Sequence, residues 1–453
     1  MVSESGFSPP ARQNVLIPVT VALVVVALAA LLARVGADAQ WLAALGRVIA
    51  ARHSIPAGVP FAVAPTGQWP NALVLAELLF NGLERSLGDR GLMLGQLLAV
   101  AIAVSVLGRD ARREGAEPAG AGLALVIAAV GALPSLAIAR VQMFSIALFP
   151  VLIALLRSQA RVPSRRIWLA VPLIALWSNL HGAALLGEAV LLAYLLLSRF
   201  RQARLLSLLV GCSSAAALCA TPALLRTVSY YHGVVTNLAA QRGEGMWGPL
   251  SLSAPLDLIT IAAALALGVR LRRSRAPLWE WCVIVALTVL TIHASRNGVW
   301  LLFLLVAPAA RAIKPKRSWA GLVPIAALAS VVTLGLAIAR GPAPTGASPS
   351  LVADAITMAH GSPVLASGSM DEQVALAGGR IWVGNPIDAF SRADQAAYLD
   401  WLQGSAAGRD ALAPQVRVVL VSRGTQTQTL MQATPGFGAV GGDRATAIYE
   451  RRG

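Results

Sequence analysis

Eleven apolar stretches follow one another along this chain, separated by short loops in which arginine and lysine are alternately dense and sparse. Few folds accommodate that arrangement. A chain of 453 residues that is 57% hydrophobic and 13% charged has too little polar surface to cover one soluble core. The bilayer must therefore be the solvent for most of it. A helix crossing ~30 Å of hydrocarbon needs about 20 mostly apolar residues. This predicts spans near 15–36, 91–108, 119–138, 142–157, 167–180, 183–198, 205–224, 256–270, 278–294, 298–311 and 318–340, several short enough to be tilted or re-entrant.

Basic residues set the orientation, because Lys and Arg beside spans are retained on the cytoplasmic side. One set of loops holds Arg109, Arg112 and Arg113; Arg157, Arg161, Arg165 and Arg166; Arg199, Arg201 and Arg204; Arg270, Arg272, Arg273 and Arg275; and Arg311, Lys314, Lys316 and Arg317. The opposite set includes the long segments 37–90 and 225–255, yet holds only Arg47, Arg52, Arg85, Arg90, Arg140, Arg226, Arg242 and Arg296. A multi-pass protein of the cytoplasmic membrane is expected, with its N-terminus inside and its tail outside. The net charge of +16 is mainly a topology signal, with contact to anionic lipid as a consequence. Dispersal of the basic residues among separate loops argues against a nucleic-acid partner. Ala37-Asp38-Ala39 mimics a signal-peptidase site, but the apolar run before it is too long for a signal peptide. Cys212, Cys219 and Cys282 lie in apolar segments and suggest neither a disulfide framework nor a metal site.

The chain divides into a polytopic membrane part, 1–341, a Pro/Gly/Ser-rich linker, 342–360, and a tail of ordinary soluble composition, 361–453. In the tail, strands are predicted at 363–366, 380–383, 416–421, 436–440 and 445–450, with helices at 370–377, 391–403 and 425–433. Such alternation predicts a small α/β layer. It contains no phosphate loop, nucleophile elbow or metal-ligand cluster, so support or acceptor docking is expected of it rather than catalysis.

Polar residues gather on the outer side. The segment 37–90 carries Asp38, Trp41, Trp69, Asn71 and Glu77, and residues 73–85 read as a helix lying along the interface. The segment 225–255 adds Tyr230, Tyr231, His232, Arg242, Glu244 and Trp247. Arg140, Asn179, His181, His293 and Arg296 stand at outer span ends. Their convergence predicts an extracytoplasmic cavity rather than a channel. Glu188 is the main carboxylate within a span, and is either functional or a helix-packing hydrogen-bond acceptor. Asp38 is equally well placed to cap the helix after it, and Trp41, Trp69, Trp177 and Trp247 suit an interfacial belt. His181, His232 and His293 lack ligand-like spacing, so no metal site is assigned.

Several of these segments resemble the integral-membrane GT-C glycosyltransferase superfamily. The bacterial first-loop pattern, Asp-x-x-Trp-His, Gly, Ile-Pro-x-x-Asp-Pro-Phe and Trp-x-Asn-His-Glu-Trp-Leu, is matched by Asp38, Trp41, Gly46, Ile55-Pro56, Pro60-Phe61, Trp69, Asn71, Leu75 and Glu77. Arg140-Val141-Gln142-Met143-Phe144 is similar to Arg-Pro-Gln-x-Phe, Leu176 to Gly182 to Leu-Trp-x-Asn-Leu-His-Gly, and Ser295-Arg296-Asn297 precedes a span as in the family. The chain departs from the pattern at Leu42, Val59 and Ala72-Leu73-Val74, where the family has His, Asp and His-Glu-Trp, so at least one carboxylate is missing.

The resemblance implies a polyprenyl-phosphate sugar as donor and an envelope glycan, lipid or protein as acceptor. It implies inverting transfer with a carboxylate base, Asp38 first and Glu77 and Glu244 behind it. Arg140, His181 and Arg296 would face the donor phosphate, and Trp41, Trp69, Asn179, Tyr231, His232 and Trp247 the substrates. No cofactor is implied, and dependence on a divalent cation stays open. Two other classes fit the chain: a degenerate scaffold that binds lipid-linked glycan or partner envelope proteins, and a transporter or flippase. The last would be expected to show inverted repeats, and none is evident.

Overall fold

The computed structural model describes residues 9–271, 276–314 and 321–452. Arg272, Arg273, Arg275, Lys316 and Arg317 of the basic loops, and the start of the expected 318–340 span, lie outside them. Among the described residues, Asp89–Arg113, Met143–Arg161 and Val323–Arg340 are long and apolar enough to cross a membrane. Other expected spans form shorter helices, such as Pro118–Gly131, Arg204–Ala217 and Leu278–His293. A count of eleven full spans is therefore not established. Apolar runs conceal helix breaks: the run 119–138 divides at Ala132 into Pro118–Gly131 and Leu133–Ala137, with Pro134 in the first turn of the second piece.

The Gly298–Ala312 helix is the axis of the bundle, buried without interruption from Gly298 to Ala310. It packs against Pro118–Gly131, Pro255–Leu271, Asp89–Arg113 and Leu278–His293. A helix apolar on every side belongs in such a position. Val323–Arg340, in contrast, packs on Pro9–Leu31 and exposes Leu328, Val331, Val332 and Leu336. An exposed apolar face of this kind marks a contact surface and suits lipid around it. Within the bundle Glu188 accepts from Ser214 Oγ of the adjacent helix at 2.9 Å. Arg157 joins Asp110 and Glu280 and donates to the Leu304 carbonyl.

At one end of the bundle, Arg34–Val35 pairs in parallel with Ile138–Ala139. The chain then passes through Asp38 into the Ala39–Arg52 helix, against which Val74–Leu87 packs. The two helices approach so closely at Gly46 that a Cβ there would fall 2.0 Å from the Glu77 carbonyl oxygen. The segment 73–85 thus forms the expected helix, which packs on Ala39–Arg52.

The C-terminal sheet runs Val364–Ala366, Val418–Ser422, Thr446–Arg451, Phe437–Gly442, the first pair parallel and the others antiparallel. Helices Met370–Leu376, Arg392–Leu402 and Gln426–Gln432 accompany it. Two tail segments differ from expectation. Residues 380–383 do not form a full strand: Ile381 bridges both Val364 and Ala62, and its N–H donates to the Phe61 carbonyl at 2.9 Å. The sheet edge is thereby joined to the first long segment of the membrane part. Within 342–360, read as a linker, Pro349–Ala359 is a helix capped by Ser348, because a Ser before a first-turn Pro is a helix start despite the flexible composition around it.

Candidate functional site between the bundle and the C-terminal domain

A cavity of about 690 Å³ lies where the bundle end meets the C-terminal domain. Both parts line it, including Asp38, Trp41, Trp69, His181, Tyr230, Glu244, Trp247 and Arg296 from the first and Asn385, Asp388 and Tyr398 from the second.

Asp38 stands at the N-cap of Ala39–Arg52 with φ 76° and makes no side-chain cap bond. Capping is done from the other part of the chain. The Glu372 carboxyl accepts from the N–H groups of Asp38 at 2.8 Å, Gln40 at 3.1 Å and Trp41 at 3.4 Å. Orphan donors of a first helical turn need such a partner, and its supply by Glu372 frees the Asp38 side chain. That carboxylate accepts from Trp41 Nε1 at 3.2 Å. Left-handed backbone at a non-glycine residue costs energy and persists where the surroundings hold it; the Glu372 bond to the Asp38 N–H is one such restraint.

Arg140 follows the Ile138–Ala139 strand, is buried, and donates to Gln142 Oε1. Arg296 sits in the Ser295–Asn297 turn, its guanidinium 4.3 Å from the centre of the Trp247 ring. Burial, then Arg296, lowers Arg140 to about 10, so it is a cation at neutral pH. Burial lowers both Arg140 and Arg296, and the charge of Asp38 partly offsets this at each. A smaller cavity of about 150 Å³ is lined by Arg140 and Arg296 together.

His181 occupies the break between Ala170–Ser178 and Ala184–Tyr194. Its Nδ1 is 2.6 Å from Ser145 Oγ, which accepts from Trp177 Nε1 at 2.6 Å. In the tautomer with the ring proton on Nε2, the Ser145 hydroxyl donates to Nδ1 while its oxygen accepts from Trp177. Burial, then the fields of Arg296 and Arg140, lowers His181 to about 3, leaving it a neutral N–H donor.

The other sequence candidates divide. Trp41 and Trp69 pack edge to face with centroids 6.2 Å apart, and Trp69 Nε1 donates to Asp388 Oδ2 at 2.9 Å. Their indoles hold carboxylates instead of forming a lipid-facing belt. Glu244 lines the cavity and pairs with Arg242, which also meets Asp400 of the C-terminal domain at 2.7 Å. Glu77 is fully buried beside the cavity, not in its wall, and accepts from Asn71 Nδ2 at 2.9 Å. Burial pushes it up to about 8, so it is neutral at pH 7.

Asn179 donates to the carbonyls of Ala175 and Ala220 and ties helix ends together. Tyr231 packs on Tyr230 with the rings tilted and centroids 5.5 Å apart, and His232 is exposed; of these three neighbours Tyr230 lines the cavity. Among the described residues no three His, Cys, Asp or Glu side chains form a group able to hold a metal ion.

Asp388, Asn385 and Glu372 escaped the sequence reading. Their one local signal is the turn Gly384-Asn385-Pro386, whose position is fixed from Met370–Leu376. The Asn385 N–H donates to Asp371 at 2.8 Å and its side chain to Glu372 at 2.7 Å. A Cβ at Gly384 would fall 2.0 Å from Asp371 Oδ2.

No sequence-family model matches the chain, and neither does any curated protein sequence. Solved structures do match. ArnT from Cupriavidus metallidurans, bound to undecaprenyl phosphate, aligns with a TM-score of 0.54 and 15% identity over 96% of this chain and 97% of its own. Its apo state gives 0.54 and 14% over 97% and 98%. The arabinofuranosyltransferase AftD from Mycobacteria gives 0.51 and 16%, spanning 100% of this chain and 42% of that one. At such identities the likeness is one of architecture, and with the first-loop and span-end motifs it gives one conclusion: the chain has the fold of the GT-C glycosyltransferase superfamily.

Proposed function

We propose that the protein is a membrane glycosyltransferase that moves a sugar from a polyprenyl-phosphate donor to an envelope acceptor at the outer face of the cytoplasmic membrane. The observation carrying this reading is the juxtaposition of a carboxylate released from capping, Asp38, with the Arg296 guanidinium and the neutral His181 imidazole at one cavity, with Arg140 lining the smaller cavity that shares Arg296 with it. Asp38 takes the proton of the acceptor hydroxyl as its oxygen bonds to the anomeric carbon. The bond from that carbon to the phosphate oxygen breaks on the opposite face, inverting the centre and releasing polyprenyl phosphate. Arg140, Arg296 and His181 donate to the phosphate oxygens as charge gathers on them, the moment at which fixed donors lower a barrier most. The binding of undecaprenyl phosphate by ArnT, which shares the fold, favours such a lipid. The basic-loop pattern favours a cytoplasmic N-terminus and an extracytoplasmic C-terminal domain.

A scaffold that binds lipid-linked glycan without transferring it is the second reading, favoured by the apolar residues Val59 and Leu73 in the first loop. Binding of undecaprenyl phosphate to the protein in nanodiscs, measured by native mass spectrometry, tests the donor site common to both. Arg140→Gln and Arg296→Gln should each weaken it by about ten-fold or more, the worth of one charge-assisted hydrogen bond. Unchanged binding in both variants would remove the phosphate from this cavity.

A further inference from the structure

The wall contributed by the C-terminal domain is chemically unlike the wall contributed by the bundle. On the bundle side Arg296 and His181 line the cavity, and Arg140 lines the smaller cavity that shares Arg296 with it. The C-terminal domain presents Asp388, in the short turn Ile387–Ala389, as its carboxylate lining the cavity. An anionic donor head is drawn to the guanidinium and imidazole groups and repelled by Asp388, which leaves Asp388 for the other substrate.

Asp388 is a placed group. Its Oδ2 accepts from Trp69 Nε1 at 2.9 Å, while the Trp41 indole, packed edge to face on Trp69, holds Asp38 at 3.2 Å. Two carboxylates from parts of the chain 350 residues apart are thus set in a fixed relation by one pair of indoles. The turn bearing Asp388 is itself clamped through Asn385 to Asp371 and Glu372. Burial pushes Asp388 up to about 6, against the lowering effect of the Trp69 N–H, and a donor that replaces lost water would suit it. Aromatic faces beside an oriented carboxylate match a sugar, whose C–H faces stack on rings while its hydroxyls donate to the acid. An alkyl chain would leave Asp388 with no donor beyond Trp69 Nε1.

We propose that Asp388, with Trp69 and Tyr230, forms an acceptor subsite that binds the hydroxyls of a carbohydrate, so that the C-terminal domain selects the acceptor. The subsite rests on the glycosyltransferase reading for its role, but its ligand can be tested separately. The probes are the n-octyl glycosides of glucose, galactose, mannose and arabinose, titrated into the full-length protein in nanodiscs, with n-octanol as the alkyl control. At least one glycoside should bind saturably and more tightly than octanol. Asp388→Asn, which keeps an acceptor for Trp69, should weaken it by about ten-fold or more. Trp69→Phe, which removes only the N–H and part of the ring, should weaken it in the same direction.

Undecaprenyl phosphate binding should stay within about two-fold in both variants, because neither side chain is among the phosphate donors Arg140, Arg296 and His181. Binding of no glycoside above octanol, or unchanged glycoside binding in Asp388→Asn, would overturn the subsite. Loss of undecaprenyl phosphate binding in the wild type would instead overturn the transferase reading and leave the glycoside result to stand on its own.

Discussion

Replacing Glu372 by alanine should disable the site from outside it. In the folded protein this carboxyl accepts from three backbone N–H groups of the Ala39–Arg52 helix start and from the Asn385 side chain at 2.7 Å, and it is 1% exposed. Truncation leaves those donors facing a void. A buried donor left without a partner costs about 1–3 kcal/mol. The 3.4 Å bond to Trp41 is weak, and a water entering the void would recover part of the rest, so roughly 3–4 kcal/mol is the expected total. That corresponds to a fall in Tm on the order of 5 °C for a protein of this size.

The effect on chemistry should be larger than stability alone predicts, because the same carboxyl restrains Asp38 at φ 76°. Once the bond to its N–H is gone, Asp38 can relax to an ordinary backbone conformation and carry its carboxylate out of line. Thermal unfolding in nanodiscs and sugar transfer below the transition separate the two effects. Glu372→Gln, which keeps one acceptor oxygen, should fall between wild type and alanine. A Glu372→Ala protein with wild-type Tm and wild-type transfer would refute the argument that the C-terminal domain builds the start of this helix.

Further outcomes follow from other contacts. Gly46→Ala should destabilise the protein by about 1–3 kcal/mol, since the added Cβ would fall 2.0 Å from the Glu77 backbone oxygen; a lowered Tm in thermal unfolding reads it. Glu77, pushed up from its ordinary 4.5 to about 8, keeps a proton on folding that the unfolded chain releases. Its contribution to stability is complete below about pH 4.5 and lost as pH rises through 8, and Glu77→Gln should flatten that slope in a pH series of melting curves. Ser145→Ala removes the partner of both His181 Nδ1 and Trp177 Nε1. The transfer rate should fall about ten-fold while undecaprenyl phosphate still binds, because the imidazole is retained but its tautomer is no longer fixed.

The bundle side of the site was legible in the sequence because its residues stand at the ends of apolar runs, where a polar side chain is conspicuous. Asp38 and Trp41, His181 and Arg296 reach one cavity from three separated segments, and local motifs pointed to each. Asp388 and Glu372 carry no such mark. They sit in a tail of ordinary composition, and the groups that give them meaning, Trp69 and Asp38, lie 319 and 334 residues away along the chain. The same limit explains Tyr230 and Tyr231: adjacent aromatics on one helix look alike in sequence, and packing decides which faces the cavity. Span count suffered from the reverse problem, since hydropathy averages across the breaks at Ala132 and at Asn179–Gly182 that divide helices in space.

The central claim is that Asp38 is the base of a lipid-dependent sugar transfer at the junction cavity. Transfer from radiolabelled polyprenyl-phosphate sugars to envelope acceptors by the purified protein in nanodiscs, beside Asp38→Asn, tests it most directly. The account predicts transfer by the wild type, a loss of about a hundred-fold or more in Asp38→Asn, and undecaprenyl phosphate binding retained in both. Donor bound without transfer by the wild type, or transfer undiminished in Asp38→Asn, would contradict it.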